Sequence, residues 1–112
     1  MKTTSQSGPI TDEALSHVMD GLWARFLPDI RARVSVLEAA AQVAREGKLP
    51  AKQREAAQSA AHKLAGVLGT FSLARGTELA RELELQFSGT PASASQLASI
   101  ASELRAVIDS RR

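Results

Sequence analysis

His62 lies in the run Ala60-Ala61-His62-Lys63-Leu64-Ala65-Gly66-Val67-Leu68-Gly69-Thr70-Phe71, with glycines one and two helical turns after it. An α-helix turns about 100° per residue, so positions i, i+4 and i+7 share a face. His62, Gly66 and Gly69 therefore form one strip, which Glu55, Gln58 and Ser59 continue toward the N-terminus. The apolar residues Ala57, Ala61, Leu64, Leu68 and Phe71 define a different stripe. With that stripe buried, His62 points roughly 130° away from its centre. A helical glycine costs ~1 kcal/mol relative to alanine. Two of them beside an outward-facing imidazole make poor helix design unless something must approach the ring closely. The ring reads as a reactive group cleared for a docking partner.

An exposed imidazole suits reversible acceptance of a group from an external donor. Near neutral pH a large fraction of an ordinary histidine is unprotonated and nucleophilic. Phosphoryl transfer needs in-line approach, and most of the electrostatic apparatus can belong to the partner, its Mg²⁺ included. The accepting chain supplies a held imidazole, empty space and a complementary surface. Gly66 and Gly69 supply the space, and Lys63, or Lys52 or Arg54 about two turns earlier, are the candidate cations to offset phosphate charge. Gln58, Ser59 and Val67, with Leu22 and Phe26 from an earlier segment, are the candidate docking residues. Competing chemistries lack their residues. The 7 glycines are scattered, so no phosphate-binding loop forms, and there is no cysteine. No His-x-x-x-His, Glu-x-x-His or Gly-x-Ser-x-Gly spacing is present. No metal site, no cofactor and no ATP-dependent kinase activity of the chain's own are expected. His17, between Glu13 and Gly21, reads as a solvated residue.

The 112 residues make one domain, rich in alanine and leucine and poor in aromatics, without sustained period-two alternation. An all-α domain follows. Residues 1–10 read as a flexible polar leader and 11–110 as the helical bundle. Thr11 is the expected N-cap of a first helix with Leu15, Val18, Met19, Leu22 and Phe26 on its apolar side. Pro28 marks a kink or a junction, after which Ile30, Val34, Leu37, Ala41 and Ala44 carry a stripe to a stop at Gly47. Helices over about 51–70 and 73–87, a breaker at Ser88-Gly89-Thr90-Pro91, and a last helix capped by Ser93 or Ser95 complete the chain. Short connections favour an antiparallel four-helix bundle with a short N-terminal helix as lid.

Charge argues against nucleic acid. The isoelectric point is near 9.5, but of 14 basic residues Lys2, Arg111 and Arg112 lie in expected tails, leaving 11 against 12 acidic ones. The rest are interspersed, as in Arg45-Glu46 and Arg81-Glu82, which suits solvated helix faces. No stretch resembles a membrane span or a signal peptide, so a cytoplasmic monomer is expected.

His62-Lys63-Leu64-Ala65-Gly66, then Gly69, Leu73 and the Leu79…Leu83-Glu84 helix resemble the histidine phosphotransfer (HPt) domain of bacterial multistep phosphorelays. The family pattern runs close to His-x-Leu-Lys-Gly and closes on a helix ending in Leu-Glu. The resemblance implies an antiparallel four-helix bundle with the phospho-accepting histidine exposed mid-helix. It implies His62 as the phosphorylation site, with Gly66 as the clearance residue. The implied partner is the receiver domain of a response regulator or hybrid histidine kinase, whose aspartate exchanges phosphate with the histidine Nε2. One departure stands out: the family's lysine position holds Ala65, and Lys63 lies about 100° round the helix from His62. Two further readings compete: a non-catalytic module binding a receiver or partner helix through the same surface, and a dimerising histidine-kinase fragment. Enough helices in one chain to close a bundle weigh against the latter.

Overall fold

The computed structural model describes residues 11–89 and 93–111. Four helices follow one another: α1 (Asp12–Glu46), α2 (Ala51–Thr70), α3 (Ala74–Ser88) and α4 (Ala94–Ser110). Cross-links between neighbours run in opposite senses, Arg31 meeting Asp109 while Glu38 meets Arg105. α2 and α4 each pack on both α1 and α3. Sequence neighbours are thus spatial neighbours around an antiparallel four-helix bundle, as the short connections require. The expected leader lies outside the described residues.

The core follows the helical period. Ile30, Val34, Leu37 and Ala41 face Ala57, Ala61, Leu64 and Leu68, with Leu79, Leu83 and Phe87 of α3 and Leu97, Leu104 and Ile108 of α4 closing the interior. Gly76 is buried, and a Cβ there would crowd its neighbours, 3.0 Å from Leu68 Cδ1 and 3.4 Å from Val107 Cγ1. Outside the core, Arg105 forks onto both carboxylate oxygens of Glu38 at 2.6 and 2.8 Å. Those hydrogen bonds push the Arg105 pKa up from its ordinary value, so the guanidinium stays charged at any working pH.

The helix ends carry the expected signals. Thr11 Oγ1 accepts from the Ala14 N–H at 3.0 Å, and Ser93 Oγ from Gln96 at 3.1 Å. At the end of α2 the Leu73 N–H reaches Leu68 O and the Ser72 N–H reaches Gly69 O, the paired bonds of a Schellman motif. That motif needs a left-handed residue, and Ser72 occupies the position with φ 59°. Glycine adopts this conformation without the Cβ penalty. Ser72→Gly is expected to stabilise the fold by about 0.5–1 kcal/mol, read as a melting temperature several degrees higher.

Three expectations need correction. Of the two readings at Pro28 the junction is overturned: α1 runs unbroken for 35 residues with Pro28 inside it, so there is no separate N-terminal lid helix. Proline removes the bond to the Ala24 carbonyl, but both residues are exposed and water can serve that oxygen. Trp23 and Ile30, buried on either side of it, keep both halves of the helix docked. Second, Leu15 and Val18, on the apolar side of the first helix, are exposed instead of packed in the core, and so are the docking candidates Leu22 and Phe26. At 1.5 Å per residue α1 is roughly 52 Å long and α2 roughly 30 Å, so the first turns of α1 run past the body of the bundle. Third, Arg111 is no tail residue. It lies over the Trp23 ring at 5.0 Å and the Phe71 ring at 5.5 Å and pairs with Asp20, closing that end of the bundle. Gly21 has open space where its Cβ would be.

Candidate functional site

α2 carries His62 at mid-helix while Ala61, Leu64 and Ala65 beside it enter the core. Its side chain is 72% exposed. The ring is not loose. Nδ1 lies 2.8 Å from Glu84 Oε2, a half-buried carboxylate that the antiparallel crossing of α3 brings opposite it. An ionised carboxylate only accepts hydrogen bonds, so it selects the ring form with the proton on Nδ1. In the neutral ring Nε2 then carries the lone pair. Nε2 makes no hydrogen bond among the described residues.

On its other side the ring borders a groove between α1 and α2. Phe26, Asp29 and Arg33 line it from α1, and His62, Lys63, Gly66, Val67 and Thr70 from α2. A second groove shares Asp29 and Arg33 and continues along the same seam past Val36, Ala56 and Ser59. Asp29 Oδ2 accepts from Arg33 Nε at 2.9 Å. Phe26 is braced edge-on against Phe71, with ring centroids 6.3 Å apart, and Phe71 in turn against the buried Trp23. Thr70 Oγ1 donates back to the Gly66 carbonyl at 3.2 Å. A Cβ at Gly66 would meet nothing within 4 Å. No internal neighbour asks for glycine there.

Of the residues singled out from sequence, Lys63, Gly66, Val67 and Phe26 gather with His62 in one groove, and Ser59 lies in the adjoining one. Gln58, Leu22 and Gly69 line neither groove. A Cβ at Gly69 would instead touch Thr77 Oγ1 on α3, at 3.8 Å. Arg54 is far from the histidine: it donates to the Phe87 carbonyl at 3.1 Å and lines a cavity with Lys48 and Leu97 at the opposite end of the bundle. Lys52 sits in the first turn of α2, ten residues or roughly 15 Å along the axis from His62. Neither can offset charge on the ring. Lys63, despite its angular offset, does share the groove.

Sequence reasoning assigned no role to Glu84, Asp29 or Arg33. Glu84 had a signal, the Leu-Glu ending of the family pattern, but its contact with His62 spans 22 residues and depends on how α2 and α3 pair. Asp29 and Arg33 show only an ordinary i, i+4 spacing.

Among the described residues no helix is long and apolar enough to cross a membrane. Residues 21–110 match the Hpt domain family. Protein RcaC of Microchaete diplosiphon is 34% identical over 67 residues, which cover 60% of this chain and 10% of RcaC. The matched stretch thus represents about a tenth of that relative's length. No solved structure matches the chain. A family match over most of the sequence, on a bundle whose mid-α2 histidine stands clear of the core, makes this protein a member of the Hpt domain family, the histidine-containing carriers of phosphorelays.

Proposed function

We propose that His62 is the phospho-acceptor, taking a phosphoryl group from the aspartate of a receiver domain and passing it to another. The observation that carries this reading is the ring itself, mostly exposed yet held through Nδ1 by Glu84, with Nε2 left as the nucleophile. As the P–Nε2 bond forms from the ring lone pair, the P–O bond to the aspartate breaks and its electron pair stays on the departing carboxylate. The ring keeps its Nδ1 proton and becomes cationic, beside the Glu84 carboxylate. The reverse transfer runs through the same arrangement. Any Mg²⁺ belongs to the receiver.

Docking follows from the exposed apolar surface. Half-buried Val67 and exposed Phe26 line the groove with His62, and exposed Leu22, Val18 and Leu15 extend the stripe along the free end of α1. Solvent-facing side chains of this size in a row are the kind of patch a partner covers. Gly66 leaves room for the partner's active site to close over the ring.

Incubation with a receiver domain phosphorylated from acetyl phosphate and Mg²⁺ is expected to place an acid-labile, base-stable label on this protein. His62→Gln abolishes the label and leaves receiver binding in place. A label that persists in that variant rejects the assignment. Binding without any transfer by the unaltered protein favours a purely non-catalytic binding module.

A further inference from the structure

A phosphoryl group on Nε2 would bring roughly two negative charges into a groove that already holds Asp29 and adjoins Glu84. Something cationic must face it. Ala65, where the family pattern has lysine, is part of the buried core and offers no charge. The groove itself contains two cations, Lys63 and Arg33.

These two differ in preparation. Lys63 projects from α2 as an exposed side chain, and fixing its long stem on a phosphate costs rotamer freedom. Arg33 is already held. Asp29 takes its Nε at 2.9 Å, and the guanidinium side chain is only 29% exposed. That bond uses one nitrogen of the fork. Neither terminal nitrogen of Arg33 makes a hydrogen bond among the described residues. A planar fork fixed at Nε and open at both terminal nitrogens matches two oxygens of a phosphoryl group.

We infer that Arg33, reaching across from α1 and positioned by Asp29, is the cation that binds the phosphoryl group on His62. This rests on the reading of His62 as phospho-acceptor, and it gives α1 a part in the chemistry as well as in docking. Asp29 acts through Arg33: it orients the guanidinium and offsets part of its charge while the ring is unmodified.

The test uses phosphoramidate, a small donor that needs no receiver. From the zwitterionic form of the donor, whose nitrogen already carries three hydrogens, the P–N bond breaks as the P–Nε2 bond forms, the electron pair leaves with nitrogen as ammonia, and the ring retains its Nδ1 proton. Labelling followed by ³¹P NMR is expected to fall about five- to tenfold in Arg33→Ala, the scale of a partly exposed charge-assisted hydrogen bond. Arg33→Lys should recover part of the loss, and the salt dependence of labelling should weaken in Arg33→Ala. Lys63→Ala should reduce labelling by less than Arg33→Ala does, as an exposed and unheld cation would. Arg33→Ala removes an i, i+4 pair and part of a half-buried stem that lies outside the core, and a thermal melt verifies that the variant folds. Labelling of Arg33→Ala equal to that of the unaltered protein, or a larger loss in Lys63→Ala, overturns the inference. Receiver transfer that proceeds normally in Arg33→Ala defeats this inference alone. Failure of any receiver to label the unaltered protein, with phosphoramidate labelling still dependent on Arg33, defeats the relay reading instead.

Discussion

Glu84→Gln is expected to slow phosphoryl transfer to and from His62 by about 10- to 30-fold, with the bundle intact. The carboxylate lies 2.8 Å from Nδ1 and, in the proposed transfer, has two tasks. It fixes the tautomer that leaves the lone pair on Nε2, and it faces the cationic ring that forms as phosphorus attaches. Glutamine is nearly isosteric but neutral, so the second task is lost. Its amide can also donate to Nδ1, which would move the ring proton to Nε2 and block attack. Hydrogen bonds to charged groups contribute about 1.5–3 kcal/mol, and exposure of the ring places the effect toward the lower end. Single-turnover transfer from a phosphorylated receiver gives the rate, and ¹⁵N chemical shifts of the imidazole give the tautomer. Unchanged values of both would reduce the contact to a surface ion pair without a part in transfer.

How much of this arrangement was legible beforehand depends on the range of the interaction. The α2 stripe Ala57, Ala61, Leu64, Leu68 and Phe71 is buried, as the 3.6-residue period requires, and the same geometry turns His62 outward. Thr11 and Ser93 cap their helices because capping is decided within a few residues. Periodicity failed at the start of α1, where Leu15, Val18, Leu22 and Phe26 have the spacing of a core face and yet are exposed. Spacing shows that apolar residues share a face. It does not show whether another helix is long enough to cover them. The junction read at Pro28 failed for a related reason: the local penalty was visible, while the buried Trp23 and Ile30 that hold the helix together across it belong to tertiary packing. Arg33 was beyond reach and Glu84 was signalled only by the Leu-Glu ending of the family pattern, because each meets the His62 site from another helix and no rule of sequence spacing sets the register between helices.

Gly66 separates stability from transfer most sharply. Its Cβ would meet open space, so Gly66→Ala gains helix propensity without a clash and is expected to stabilise the protein by up to ~1 kcal/mol. For a domain of this size that raises the melting temperature by about 4–8 °C. Transfer from a receiver should nevertheless fall, because the methyl group occupies space one turn from the ring on the side of the groove. The loss should deepen with side-chain size, reaching about 100-fold in Gly66→Leu, the scale of a misplacement of ~1 Å between reacting groups. Leucine there also projects into the groove rather than the core, so the fold survives it. Labelling by phosphoramidate, a far smaller donor, should fall much less than transfer from the receiver. That contrast locates the defect in the approach of a large partner instead of in the imidazole. If both donors lose equally, the substitution has disturbed the ring itself. If neither loses and only the melting temperature rises, Gly66 serves no partner, and the vacant space beside His62 has no part in transfer.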